Sequence, residues 1–225
     1  MSVAAIVLAG GRARRLGTPK HAVSLGGKTL LDRSLDAVTL LPTVVVGPEA
    51  LLPELPARPS VSLIQERPAF SGPAAGIGAA LDELDRRGVA TGTCLVLSCD
   101  LVRPAAVVEL LLSAAEEFTD GLVLRDASGR TQWLSGLYAV DALRGAVSRL
   151  RSSASLDSAP VRALFGSLAL TLLDDPGELS ADIDTPADLV AARERILPAV
   201  VTPSLRGVGG VRRSDAPLVE LVSAG

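Results

Sequence analysis

Aromatic side chains, lysines and cysteines are scarce in this sequence. Aromatic residues make up only 2% of the 225 residues, whereas 48% of the chain is hydrophobic, so we expect a core of Leu, Val, Ala and Ile. Of the 22 basic residues only Lys20 and Lys28 are lysines. Where arginine is the usual cation, a lysine indicates a site that needs a compact point charge.

Long hydrophobic runs, a strong net charge and paired cysteine motifs are also missing. No apolar run approaches the roughly 18 residues of a membrane span, and the N-terminal cations follow the first apolar run, the reverse of a secretory signal. We therefore expect a cytoplasmic protein with no membrane partner. A net charge of −3 without a like-charged tail does not indicate a nucleic-acid partner. Cys94 and Cys99 match no metal or redox spacing, so we interpret them as core residues.

The first apolar run ends in a glycine turn that cations follow. Residues 3–9 predict a buried strand, and Gly10 and Gly11 lack a Cβ atom, so their backbone can turn and its N–H groups can approach a ligand. The cations that follow are Arg12, Arg14, Arg15 and Lys20. This order favours phosphate binding. A solvated basic loop after a core strand is the alternative.

Strand and helix patterns alternate along the chain. Strands are predicted at 3–9, 43–46, 61–66, 93–98, 121–125, 132–140 and 168–173. Helices are predicted at 29–41, 71–87, 104–118, 141–151 and 158–166, with a last helix from Pro186, and Ser71 and Thr185 as N-caps. This rhythm predicts an α/β fold with a mostly parallel sheet between helices. The domain is expected to cover residues 1–197, with 198–225 a loosely held C-terminal extension.

Ligands of such sheets bind beyond the carboxyl ends of the strands. The glycine pair at 10–11, Glu66 and Asp100 all follow predicted strands, so we expect them to meet in one crevice. Asp100 is able either to cap the helix that starts at Pro104 or to hold Mg²⁺ together with substrate phosphate oxygens.

Asp182 and Asp184 form a second acidic pair. In an extended Asp-Ile-Asp segment they point to one side while Ile183 faces the core, and a cation between them would relieve their repulsion. Stabilisation of the following helix by Asp184 is the structural alternative. His21, the only histidine, has no evident partner, so we interpret it as part of the loop.

A nucleoside triphosphate with Mg²⁺ would account for the glycine turn, the cations and the carboxylates together. Attack on the α-phosphorus with pyrophosphate as leaving group needs positioning and charge neutralisation more than covalent catalysis. The lack of a clear nucleophile is therefore no objection.

Motifs in a fixed order resemble a known family. They are LAGG-x₃-RLG-x₂-K at 8–20, GPAAGI at 72–77, SCD at 98–100, SGLY at 135–138 and IDTPADL at 183–189. Over residues 3 to about 196 the chain resembles the molybdenum cofactor guanylyltransferase (MobA-like) family. The resemblance implies the Rossmann-like three-layer αβα nucleotidyltransferase fold and transfer of GMP from GTP to molybdopterin, with release of pyrophosphate. It also implies Mg²⁺ as cofactor, and molybdoenzymes or their chaperones as further partners.

Carried onto these motifs, the resemblance implies catalytic roles for Arg15, Lys20 and Asp100. The residues expected to bind the nucleotide are Leu8, Ala9, Gly10, Gly11, Lys20, Glu66, Gly76 and Asp100. Asp100 and the acidic pair, Asp182 and Asp184, are expected to hold Mg²⁺. The LAGG motif is associated with guanine, since cytidylyl relatives tend to carry LAAG.

The sequence departs from the family pattern at three places. Gly47 stands where asparagine is frequent, Glu66 stands where the shorter aspartate is usual, and Asp182-Ile183-Asp184 replaces Asn-x-Asn. The last change fits a second metal position or a different acceptor. The alternatives are therefore cytidylyl transfer to the same pterin, guanylyl transfer to another phosphorylated acceptor, or a non-catalytic nucleotide-binding protein. Retention of both Lys20 and Asp100 argues against the non-catalytic alternative.

Overall fold

The alternating pattern folds as strands and helices in close agreement with the sequence. A computed structural model describes residues 2–10, 15–55, 57–89, 92–116 and 118–196. The strands are β1 (Val3–Leu8), β2 (Ser24–Leu25), β3 (Lys28–Thr29), β4 (Thr43–Val46), β5 (Val61–Ile64), β6 (Thr93–Ser98), β7 (Gly121–Arg125), β8 (Thr131–Ala139) and β9 (Leu170–Asp174). The α-helices are α1 (Leu30–Ala37), α2 (Pro73–Arg86), α3 (Pro104–Ser113), α4 (Val140–Ser153), α5 (Val161–Phe165) and α6 (Pro186–Ile196).

The main sheet has seven strands in the order β5-β4-β1-β6-β8-β7-β9. Its first four strands are parallel, β8 runs antiparallel to both of its neighbours, and β7 and β9 are parallel to each other. The prediction of a mostly parallel α/β sheet is confirmed. The antiparallel β8 follows β7 through a tight turn at 126–129, which leaves no room for the crossover that a parallel pair requires.

Helices cover both faces of this sheet and form two cores. Alternate residues of β1 enter opposite cores: Ala4 and Ile6 pack with α2, α4 and α5, whereas Ala5 and Val7 pack with α1 and α3. The expected aliphatic composition is confirmed. The first core also contains a stack of Tyr138 on Phe165, whose ring centroids lie 4.6 Å apart.

Some helix boundaries differ from the prediction. Helix α1 ends at Ala37, although Val38 and Leu41, beyond its end, still pack on the second core as the apolar pattern predicts. Helix α3 ends at Ser113, short of residue 118. Helix α5 begins at Val161, because Ser158 has a φ of 58°, which an α-helix does not permit.

The predicted N-cap of α2 is wrong. Gly72 occupies that position with a φ of 89°, and no side chain caps the helix. The Ser71 hydroxyl instead donates to the Pro68 carbonyl at 2.7 Å. Ser71 therefore fixes the loop before the helix rather than the helix itself.

A third, smaller core joins the β2–β3 hairpin to α6. Its buried residues include Val23, Leu25, Ile183 and Ala192. Among the residues that the structure describes, no helix is long and apolar enough to cross a membrane. The expected extension at 198–225 lies outside the described residues, so the domain boundary stays a prediction.

Candidate active site

The carboxyl ends of β1 and β6 adjoin each other at the centre of the sheet. Leu8 and Ser98 are register partners, and the Cys99 amide donates to the Leu8 carbonyl at 3.1 Å. Gly10 and Asp100 each follow this pair by two residues, so they leave adjoining strands at the same edge. The expected convergence of these two strand ends is observed.

The segment before α6 pairs with the chain after β6. Leu101 and Asp182 form an antiparallel bridge, and the Ile183 amide donates to the Asp100 carbonyl at 3.1 Å. Ile183 is fully buried in the third core, as expected from the Asp-Ile-Asp pattern. Asp182 and Asp184 are thereby held beside Asp100.

Lys20 connects the glycine-turn loop to these carboxylates. Its Nζ atom donates to Asp100 Oδ2 at 2.5 Å and also to Asp184 Oδ1. The other carboxylate oxygen of Asp100 accepts a hydrogen bond from the Ser98 hydroxyl. Ser98 was not identified from the sequence, although its place in the SCD motif is a usable signal. Four side chains from three separate parts of the chain thus form one polar cluster.

The charges in this cluster perturb one another. Burial lowers the pKa of Lys20, but the opposing attraction of Asp100 and Asp184 outweighs it, so the net pKa is raised and the amine stays protonated. Burial, followed by repulsion from Asp100 and Asp184, raises the pKa of Asp182. The single ammonium group therefore leaves the three carboxylates incompletely neutralised.

The carboxylates of Asp100, Asp182 and Asp184 offer oxygen atoms that all lie within 4.8 Å of one another. Asp100 is buried and Asp184 is exposed, so the group reaches from the protein interior to solvent. Hard oxygen ligands that leave room for substrate phosphates suit Mg²⁺. The donor set therefore fits a magnesium ion, and we observe Lys20 between two of its members.

The helix-capping alternative is wrong for Asp100, whereas stabilisation of α6 by the charge of Asp184 stays a prediction. The N-cap of α3 is Arg103, without a side-chain cap, so Asp100 does not cap that helix. At α6 the Thr185 hydroxyl accepts from the Asp188 amide at 3.2 Å, and Asp188 Oδ2 accepts from the Thr185 amide at 2.7 Å. Thr185 thus caps α6 as predicted, Asp188 completes the capping box, and the Asp184 carboxylate pairs with Lys20.

The two cysteines are core residues, as expected. Cys94 and Cys99 are buried and unpaired. Burial raises the pKa of Cys94 to about 12. Burial, reinforced by Asp100, likewise raises the pKa of Cys99. Both thiols therefore remain protonated and unsuited to nucleophilic attack.

A pocket of about 550 Å³ opens at the ends of β1, β4 and β5. It is lined by Leu8, Gly10, Val46, Glu66, Phe70, Gly72, Pro73, Gly76 and Ser158. A Cβ atom on Gly10 would meet nothing within 4 Å, whereas one on Gly76 would lie 3.0 Å from Val46 Cγ1. Gly10 therefore borders open space, and Gly76 lets α2 pack closely on β4.

The other expected site residues are placed differently. Ala9 is buried and does not line this pocket. A Cβ atom on Gly47 would lie 2.6 Å from Leu51 Cδ1, so an asparagine here would require the Leu51 side chain to move. Arg15 is exposed, and neither it nor the half-buried His21 pairs with a described residue. Gly11, Arg12 and Arg14 lie outside the described residues.

A second pocket of about 550 Å³ lies at the acidic cluster. Two arginines, Gln132 and six carboxylates contribute to its lining: Arg130, Arg195, Asp126, Asp175, Glu178, Asp182, Asp184 and Asp188. Arg195 pairs with Glu178 at 2.5 Å. Arg130 and Arg195 were missed because the β7–β8 connection and α6 line one pocket only in the folded chain.

Comparison with known proteins agrees with this geometry. Residues 5–169 match the family model of the MobA-like NTP transferase domain. The chain is 28% identical over 204 residues to the molybdenum cofactor guanylyltransferase of Rhodobacter capsulatus, covering 87% of this chain and 97% of that protein. It is 32% identical over 198 residues to a probable molybdenum cofactor guanylyltransferase of Rhodopirellula baltica, covering 82% and 88%.

Solved structures share the fold. The molybdopterin-guanine dinucleotide biosynthesis protein A of Archaeoglobus fulgidus superposes with a TM-score of 0.64 at 26% identity, over 87% of this chain and 98% of that one. The 2-C-methyl-D-erythritol 4-phosphate cytidylyltransferase of Thermus thermophilus superposes with a TM-score of 0.61 at 20% identity, over 87% and 98%. The latter likeness concerns the fold alone.

Proposed function

This chain belongs to the MobA-like NTP transferase family, and from that premise we propose that it is a molybdenum cofactor guanylyltransferase. It would join GMP from GTP to molybdenum-loaded molybdopterin and release pyrophosphate. The observation that carries the proposal is the contact of Lys20 with Asp100 and Asp184, beside a pocket at the ends of the parallel strands. A cation donor and clustered carboxylates at this edge suit a metal–triphosphate substrate.

The pocket at Gly10 would hold the nucleoside. Because Gly10 has no side chain, the nucleoside would be able to approach the protein backbone there. Glu66 contributes a carboxylate to this pocket. Guanine presents neighbouring N–H donors that one carboxylate accepts together, whereas cytosine presents a different edge. Glu66 therefore supports guanine recognition from this position. Its side chain is one methylene longer than that of the usual aspartate.

Lys20 would bind the triphosphate, and Arg15 and Gly11 would line the turn that binds the phosphates. Asp100, Asp182 and Asp184 would hold Mg²⁺, which when bound neutralises phosphate charge and helps to orient the α-phosphoryl group. A phosphate oxygen of the acceptor then forms a bond to the α-phosphorus as the bond to the bridging oxygen breaks. The buried Asp100, fixed by Ser98, keeps this end of the site in one position.

The second pocket would hold the acceptor. It shares Asp182 and Asp184 with the acidic cluster, so Arg130 together with bound Mg²⁺ would have to supply the positive charge for the acceptor's phosphate among these carboxylates. The Asp-Ile-Asp segment is also the feature that favours the second candidate function, guanylyl transfer to another phosphorylated acceptor. Cytoplasmic location and docking to molybdoenzymes or their chaperones stay predictions.

Purified protein incubated with GTP, Mg²⁺ and molybdate-loaded molybdopterin tests the proposal. We expect stoichiometric pyrophosphate and guanine dinucleotide cofactor, and neither product when the acceptor is omitted. Use of CTP in preference to GTP would make the base assignment wrong. Pyrophosphate release only with a different phosphorylated acceptor would favour the second candidate function.

A further inference from the structure

Phe70 occupies an unusual place at the nucleoside pocket. It lines the pocket together with Leu8, Gly10 and Glu66, yet 53% of its surface is exposed. Its backbone φ of 65° lies in the left-handed region, where a bulky non-glycine residue is an outlier. Backbone outliers of this kind concentrate at ligand sites.

The loop that carries Phe70 is held in place by hydrogen bonds of the next residue, Ser71. Ser71 is buried, its hydroxyl donates to the Pro68 carbonyl at 2.7 Å, and its own carbonyl accepts from the Ser158 amide at 2.7 Å. Gly72 then begins the turn into α2 with a φ of 89°. The position of the Phe70 backbone is thereby set relative to the pocket before any ligand binds.

The pocket beside the ring suits a flat, rigid ligand. Three of its lining residues, Gly10, Gly72 and Gly76, carry no side chain, so part of its wall is bare backbone. Among the described residues that line it, Glu66 is the only charged one. A planar heterocycle with polar groups along one edge can lie against this bare backbone and direct those groups at Glu66.

We propose that the Phe70 ring stacks on the face of the bound purine base and is the residue that supplies base-independent affinity. This inference rests on the proposed function, because it assigns a nucleoside to this pocket. Stacking does not discriminate between bases, since every base presents a π-face. Phe70 would therefore set how tightly the nucleoside binds, while the polar edge contacts set which nucleoside binds.

Binding of GTP and of tripolyphosphate to wild type and Phe70→Ala, measured by calorimetry, tests the stacking. We expect the Kd for GTP to rise roughly five- to hundredfold, the range for removal of one base-stacking aromatic, and the Kd for tripolyphosphate, which has no base, to stay the same. Phe70→Tyr should bind GTP like wild type. Leu40→Ala, an exposed apolar residue outside the pocket, is the control and should change neither ligand.

A fluorescence readout separates stacking from a structural role of the loop. In Phe70→Trp combined with Trp133→Phe, the single tryptophan at position 70 should be quenched by GTP and not by tripolyphosphate. An unchanged GTP affinity in Phe70→Ala, or an equal loss for both ligands, would overturn the stacking inference alone. A wild-type protein that bound tripolyphosphate but no nucleotide would overturn both this inference and the proposed function.

Discussion

Lys20 and Asp100 lie 80 positions apart in the sequence, and the lysine Nζ is 2.5 Å from a carboxylate oxygen of the aspartate. The same ammonium group also contacts Asp184, so it occupies the space between two of the three clustered carboxylates. In the nucleotide-free protein, Lys20 and a bound divalent cation would therefore compete for the same oxygen atoms. A triphosphate would attract the ammonium group to its own oxygens and open this space for the cation.

Lys20→Ala should lower kcat/KM for GTP tenfold or more. One charge-assisted hydrogen bond contributes about 1.5–3 kcal/mol, and the side chain has no nearby lysine to replace it. Lys28→Ala is the matched control, because Lys28 is the only other lysine and forms an exposed pair with Asp36. Steady-state pyrophosphate release measures both variants. A loss below twofold in Lys20→Ala would make this lysine a surface residue.

Lys20→Met should destabilise the metal-free protein by about 1–3 kcal/mol, because the buried Asp100 loses its partner. The same variant should gain more stability from Mg²⁺ than wild type gains, since no ammonium group competes for the carboxylates. Thermal unfolding with and without Mg²⁺ measures both effects, and Mn²⁺ binding by electron paramagnetic resonance should be tighter in the variant. Equal Mn²⁺ affinity in both proteins would contradict the competition.

Asp126 should contribute a pH-dependent part of the stability. The Ser128 hydroxyl and the Arg130 amide donate to its carboxylate and lower its pKa from 3.8 to about 2. A depressed pKa in the folded state stabilises the fold above the unfolded value and loses this effect as the pH falls. Asp126→Asn should therefore unfold at a lower temperature than wild type at neutral pH, and the difference should shrink between pH 3.8 and about 2.

Ser128→Ala is the companion variant for this pH dependence, because it removes one donor and keeps the carboxylate. It should show a smaller loss of stability with the same pH trend. Thermal unfolding across this pH range, followed by circular dichroism, measures all three proteins. A difference between wild type and Asp126→Asn that stayed constant with pH would exclude this origin.

Arg130→Ala should raise the KM for the acceptor tenfold or more and leave the KM for GTP within about twofold. The guanidinium group lines the second pocket, and loss of one charge-assisted contact is of this size. Arg149→Ala is the control, since Arg149 hydrogen-bonds Ser167 away from both pockets. An equal rise in both KM values would place Arg130 outside the acceptor site.

The meeting of the strand ends was predictable because parallel strands share one carboxyl edge. Gly10 and Glu66 each follow a short apolar run and line one pocket, whereas Asp100, which adjoins Gly10 at the same edge, is not part of that lining. The cap at Thr185 and Asp188 was equally readable from its spacing. The contact of Asp184 with Lys20 was not predicted, because it joins two segments 164 positions apart.

The Phe70 loop and the Arg130 pocket could not be predicted in the same way. The conformation at Phe70 depends on Ser71 and Ser158, which are distant in sequence and meet through α2 packing. Arg130 lies between β7 and β8 and lines the same pocket as Asp182 and Asp184. The tight turn makes β8 antiparallel to β7, but no local pattern reports that this turn shares a pocket with the Asp-Ile-Asp segment.

The central claim is that Asp100 joins the glycine-turn loop and the Asp-Ile-Asp segment in one guanylyl-transfer site. The most direct test is the rate of pyrophosphate release against Mg²⁺ concentration for wild type, Asp100→Ala and the control Asp36→Ala, with GTP and molybdenum-loaded molybdopterin. We predict that Asp100→Ala loses turnover and its dependence on Mg²⁺, while Asp36→Ala resembles wild type. Unchanged turnover in Asp100→Ala would contradict the account.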